Sequence, residues 1–126
     1  MTIAEALSKV DRLRPNQVSA ADKLGWLSDC DAFLLESVVR THGADADVPA
    51  EFAGYGAHTD QETSLLAGPP YDEMYLFYLY MQIDLVNMEL GKYNNDRALY
   101  LARMGDYAAF YNRTHAPLHA ADHFSL

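Results

Sequence analysis

Three histidines, His115, His119 and His123, recur at every fourth position near the end of the chain. On a continuous helix that spacing would put three imidazoles on one face, an arrangement that binds Zn²⁺ or Ni²⁺. Pro117 falls inside the window and interrupts such a helix. No cysteine or acid completes the set, although Asp122 is adjacent. His58-Thr59-Asp60, with His42 upstream, gathers residue types used in hydrolysis. No serine sits in a G-x-S-x-G elbow, however, and neither H-E-x-x-H nor a phosphate-cradling glycine loop is present. Cys30 lies between Asp29 and Asp31, whose charges raise a thiol's pKa and oppose nucleophilic use. It is expected to be a small buried hydrophobe. Asp72, Glu73, Asp84 and Glu89 read as helix-dipole partners and a wet face rather than as paired catalytic acids. Asn112-Arg113-Thr114 matches a glycosylation triplet, and nothing else points to a secretory route. The expectation is a protein without catalytic residues, metal or cofactor.

Composition narrows the classes further. The chain has 126 residues, half of them hydrophobic, and a net charge of −9. That length fits one domain, 1–126, with enough apolar residues for a core. The acidity argues against ordinary phosphate-backbone binding, which needs clustered Lys and Arg. It suits a wall along which DNA slides without sticking. A single cysteine cannot form an internal disulfide, so the expected compartment is a cytosol. Neither a leader nor a membrane span is legible.

The elements that would position these residues are helical. Thr2 with Glu5 three residues later forms a capping-box pattern. Ile3, Leu7, Val10 and Leu13 then share a face, and Pro15 ends the first helix. The second begins at Ser19 as N-cap, and Gly43 supplies its stop. Residues 43–70 read as a long loop, with Pro49, Gly54 and Gly56 breaking any periodicity. A third helix is expected over 71–92, opened by Pro69-Pro70 and about 33 Å long at 1.5 Å per residue. Asn94 and Asn95 mark a turn, with Asn95 capping a fourth helix that runs to about Asn112. The short connection makes helices three and four antiparallel neighbours. The tail, 116–126, is expected to be loosely held. The fold class is therefore all-α, with about four helices, a long central loop and a flexible C-terminal tail.

Residues 74–81 are eight consecutive apolar or aromatic side chains. An ordinary amphipathic helix buries one stripe; this one needs neighbours on more than one side. Of nine tyrosines, only Tyr55 lies outside residues 71–111. Tyrosine combines contact area with a polar tip and is enriched at interfaces. The expected subunit interface therefore comprises Tyr75, Phe77, Tyr78 and Tyr80, with Tyr100, Tyr107 and Tyr111 facing them from the fourth helix. The same rings would equally line the groove between two antiparallel helices. Asp84, an acid on an apolar helix, is expected to pair with Arg97 or Arg103.

The string PYDEMYLFYLYMQIDLVNMELGKYNN, followed by YNRTHAP, resembles the C-terminal half of small head–tail connector (adaptor) proteins of tailed bacteriophages and prophages. Pro70, Tyr71, Asp72, Glu73, Tyr75, Tyr78, Ile83, Asp84, Tyr93, Asn94, Asn95, Asn112, Arg113, Thr114 and His115 stand in that family's order. The N-terminal half is similar in style, with a short helix, then Arg14-Pro15-Asn16, then a helix bearing Trp26-Leu27. The resemblance implies a virion structural protein of the neck, assembled in a bacterial cytoplasm. It implies a homo-oligomeric ring between the portal protein and a tail or stopper protein, with DNA passing through it unread. The loop 43–68 and the tail after His115 would then be docking arms. A different class, a small acidic phage protein that mimics DNA and inhibits a host nuclease, predicts regularly spaced rows of surface acids. The acids here are scattered.

Overall fold

A computed structural model describes residues 1–39 and 52–115. Among these residues the chain forms four helices: α1 (Ile3–Leu13), α2 (Ala20–Ser37), α3 (Met74–Val86) and α4 (Leu90–Thr114). One isolated antiparallel bridge, Thr2 with Ser64, is the sole strand-like pairing described. The architecture is all-α.

The start signals act as their chemistry requires. The Glu5 amide donates to Thr2 Oγ1 while the Thr2 amide donates to Glu5 Oε1, closing the capping box. Ser19 Oγ accepts from the Asp22 amide and opens α2. α1 buries Ile3, Ala6, Leu7 and Val10, one face at 3- and 4-residue spacing. α2 buries Leu24, Leu27, Cys30, Leu34 and Leu35. Lys23 is also buried on α2, and its ammonium donates to Asp11 at the end of α1. α2 ends at Ser37 with Val38 as its cap, earlier than the expected stop at Gly43, which lies with the rest of 40–51 outside the described residues.

The rest of the expected loop is not a free arm. Residues 61–65 run against the start of α1. Amides of Ile3 and Ala4 donate to the carbonyls of Thr63 and Gln61, and the Leu65 amide donates to Met1. Leu65 and Ala67 are buried in the core. Gly54 holds φ +84°, and a β-carbon there would sit 2.7 Å from Ser28 Oγ. That hydroxyl is already engaged, accepting from the Tyr55 amide at 3.0 Å.

The third helix is shorter than its pattern implied, and the turn comes earlier. Residues 71–73 form a tight turn rather than a first helical turn, and α3 begins at Met74. α3 stops at Val86 because Met88 adopts φ 58°. The Glu89 amide donates to the Asp84 carbonyl and the Met88 amide to the Leu85 carbonyl. These are the two bonds of a Schellman cap, with methionine where glycine is usual. α4 then starts at Leu90, so Asn94 and Asn95 are exposed helical residues, not a turn. α3 and α4 form the hairpin at the centre of the fold; α3 packs on α1 and α2 on its other sides. α4 is the longer partner, about 37 Å against about 20 Å by helical rise. Its second half overshoots α3 and rests on Tyr71, which stacks on Phe110 at 4.8 Å and meets Tyr107 edge-on at 6.1 Å.

Candidate interaction surface

The tyrosines divide by depth. Tyr75 is fully enclosed, and Tyr80, Tyr100, Tyr107 and Tyr111 are buried as well. Within one copy these five face the chain's own core, which corrects the expectation that they form an outer surface. The reason is that α3 has neighbours on three sides, α1, α2 and α4, so even an all-round apolar helix finds cover. Phe77 and Tyr78 are half-buried and remain at the edge.

Two buried polar centres hold this core in register. The first is Asp31 on α2, 1 % exposed. Its Oδ1 accepts from the Tyr75 hydroxyl at 2.5 Å, and its Oδ2 accepts from the Leu66 amide at 3.0 Å and from the Tyr55 hydroxyl. The Tyr75 oxygen in turn accepts from the Ala67 amide at 2.7 Å. One carboxylate thus ties α2, α3 and the 55–67 segment together. Burial pushes its pKa up, while the three donors pull the other way. Desolvation and the neighbouring Asp31 charge raise Tyr75 well above its ordinary value, so it stays a neutral donor.

The second centre is Asp84. Its partner is Arg14, not Arg97 or Arg103. Arg14 Nη1 donates to Asp84 Oδ2 and to Asp96 Oδ2, each at 2.6 Å, and its guanidinium lies 4.3 Å over the Tyr80 ring. Arg14 emerges at the α1 C-cap, where its amide donates a hydrogen bond to the Val10 carbonyl, and its guanidinium bridges α3 and α4 beside their turn. Arg97 and Arg103 are exposed on α4, and Arg103 lies 3.7 Å from Glu73 instead. Burial, then the touching Asp96 carboxyl, lifts the pKa of Asp84 to about 6 against the pull of Arg14.

The other reactive candidates are quiet. Cys30 is buried with its Sγ 3.9 Å from the Tyr100 hydroxyl, and desolvation drives its pKa far up. His58, Thr59 and Asp60 lie in an exposed turn in which Thr59 Oγ1 accepts from the Gly56 amide; His42 lies outside the described residues. His115 stacks on Tyr111 with ring centroids 3.8 Å apart; His119 and His123 also lie outside. Among the described residues no cluster of three His, Cys, Asp or Glu side chains could hold a metal. No described helix is long and apolar enough to cross a membrane.

What stays bare is a flank of the hairpin that tyrosine counting did not single out. Phe33 on α2 and Leu101 on α4 are exposed. With Tyr78, Met81 and Met104 they line a groove of about 250 Å³, and Arg97 stands at its edge. At the hairpin end, Leu85, Val86, Met88 and Leu90 form a second exposed apolar group. A further cavity, also about 250 Å³, lies beside Asp31 between Leu35, Phe52 and Tyr55. Contiguous apolar surface of this kind marks interaction sites. Comparison with known proteins adds no relative: no family model, curated protein or solved structure matches the chain.

Proposed function

We propose that this chain is a non-enzymatic virion structural protein, a head–tail connector that assembles as a ring between a portal protein and a tail or stopper protein. The carrying observation is the bare apolar flank of the α3–α4 hairpin, with Phe33 and Leu101 exposed beside Tyr78. A head-to-tail ring needs two different adhesive patches on each copy. The groove and the hairpin end are two such patches. The sequence resemblance supports the same reading, and the net charge of −9 suits a channel that DNA traverses without binding. The neck of a virion, assembled in a bacterial cytoplasm, is the corresponding location.

The DNA-mimic reading is less well supported. It needs exposed rows of carboxylates, whereas Asp31, Asp84 and Asp96 are buried in the fold. Mixing the purified chain with the portal protein of its own phage or prophage tests the proposal. A ring of copies seated on the portal is expected; a portal that stays bare at saturating chain contradicts it.

A further inference from the structure

Asp84 and Asp96 are two carboxylates with one cation between them. Arg14 Nη1 donates to Oδ2 of each at 2.6 Å. Two oxygens so close to a single nitrogen are close to each other as well, and the two carboxyls are hydrogen-bond partners. Their side chains are 3 % and 8 % exposed, whereas that of Arg14 reaches water at 32 %. The other charges at this corner are engaged or act weakly. Glu89, the N-cap of α4, adds a small repulsion to Asp84 and is itself held by Lys92 at 2.6 Å. Arg12 on α1 adds a weaker positive field, felt at Tyr80. On α2, which also packs on α3, Lys23 is taken by Asp11, and Asp31 by two tyrosines and the Leu66 amide. With both carboxylates ionised, a nearly dry corner would hold two negative charges against one positive. Carboxylates in contact resist ionising together. One added proton lets the pair hydrogen-bond to each other and neutralises the corner, while the guanidinium stays charged.

We infer that Asp84 and Asp96 hold a single proton between them, and that this proton latches the turn end of the α3–α4 hairpin beneath Arg14. Asp84 lies in the last turn of α3 and Asp96 in the second turn of α4. The proton therefore joins the two helices next to their connection. The Asp84 carbonyl, accepting from the Glu89 amide, closes that same connection. Arg14 extends the tie to α1, with its guanidinium seated over Tyr80. Losing the proton to solvent leaves like charges facing each other across the hairpin. The helices are then pushed apart at the end that carries the exposed Leu85, Val86, Met88 and Leu90. The latch thus sets the shape of one of the two apolar patches. Burial and the Asp96 carboxyl raise Asp84 to about 6, above the ordinary aspartate value. The folded state therefore holds the proton more tightly than the unfolded chain. The latch is closed in acid and opens as pH rises through about 6. Because the carboxyls share the proton, the titration steps belong to the pair.

The test compares the full chain with its D84N and D96N variants. Asparagine keeps the shape of the side chain and supplies a permanent hydrogen, so both variants are expected to fold. Carboxyl-carbon NMR shifts are followed from about pH 3 to about pH 8. The wild type should show an upper step near 6, sensed at both Asp84 and Asp96. D96N should return the Asp84 step to the ordinary aspartate range, and D84N should remove the upper step at Asp96. Amide exchange of Met88 and Glu89, corrected for its intrinsic pH dependence, reads the latch itself. Their protection should fall by about tenfold between about pH 5 and about pH 7 in the wild type and stay level in both variants. A wild type in which both carboxyls titrate in the ordinary range overturns the shared proton, and this arm decides even if a variant fails to fold. A D96N in which the Asp84 step stays near 6 overturns it equally, since burial alone would then account for the step. Protection at Met88 and Glu89 that follows one course in the wild type and the variants overturns the latch. The connector reading stands or falls separately, by the portal test.

Discussion

At the residue scale, the molecule turns on two carboxylates that look ordinary in the sequence. Asp31 collects three donors in a buried setting. Removing it by Asp31→Ala leaves the hydroxyls of Tyr55 and Tyr75 and the Leu66 amide without their acceptor. We expect a loss of about 3 kcal/mol or more, seen as a lower urea midpoint. Tyr75→Phe removes one donor from Asp31 and the acceptor of the Ala67 amide, and should cost about 1–3 kcal/mol. Asp84 gives a pH signature. Its folded pKa, about 6, lies above the ordinary aspartate value of 3.8. The folded state therefore holds the proton more tightly than the unfolded state. The resulting stabilisation is full below about pH 4 and is lost as pH rises through about 6. Asp84→Asn should flatten the slope of urea midpoint against pH across that window, and a slope identical to that of the wild type would contradict the assignment. The sequence showed that Asp84 needed a partner on an apolar helix, but not which one. Arg14 is 70 positions away, and only the packing of α1 against α3 brings it there. Asp31 was legible only as a neighbour of Cys30, because its role depends on a loop segment that carries no periodicity.

At the element scale, the starts of α1 and α2 were readable, while the starts of α3 and α4 and the stop between them were not. Thr2, Glu5 and Ser19 are side-chain caps, a local chemistry written in adjacent residues, and the structure uses each as expected. The end of α3 has no such signature. Gly91, the nearest glycine, lies beyond the turn, and the left-handed position is taken by Met88. The asparagine pair at 94 and 95 therefore drew the boundary too late. This element makes its own prediction. Met88→Gly should raise stability by about 1 kcal/mol, read from denaturant midpoints, since it relieves a left-handed non-glycine backbone. Gly54→Ala should act in the opposite direction. Both the positive φ and the 2.7 Å approach to Ser28 Oγ resist a β-carbon, and a loss of about 1–3 kcal/mol is expected. Binding of the 52–67 segment to α1 and α2 was also hidden from the sequence. On α1 it rests on backbone hydrogen bonds at Met1, Ile3 and Ala4, which no side-chain pattern encodes; on α2 it rests on the Ser28 and Asp31 side chains, whose partners lie far along the chain.

At the scale of the whole molecule, the all-α class was legible because hydrophobic spacing near 3.6 dominates and alternation is weak. The expected surplus of aromatic surface takes another form: among the described residues the exposed large hydrophobics are aliphatic apart from Phe33. The long apolar run of α3 is mostly covered by α1, α2 and α4, and the tyrosines deepest in it serve the internal core. The surface left bare is contributed by single residues on three helices, Phe33, Tyr78 and Leu101, which come together only in the folded state. That redistribution moves the proposed contact from the tyrosine ladder to a groove and the hairpin end. It leaves unchanged the claim that other protein covers part of this molecule. Native mass spectrometry of the chain with its portal protein measures that claim directly. The account predicts a portal complex heavier by a fixed, whole number of copies of this chain, forming a closed ring. A portal mass unchanged by excess chain, with the chain remaining a free monomer beside it, would contradict the account.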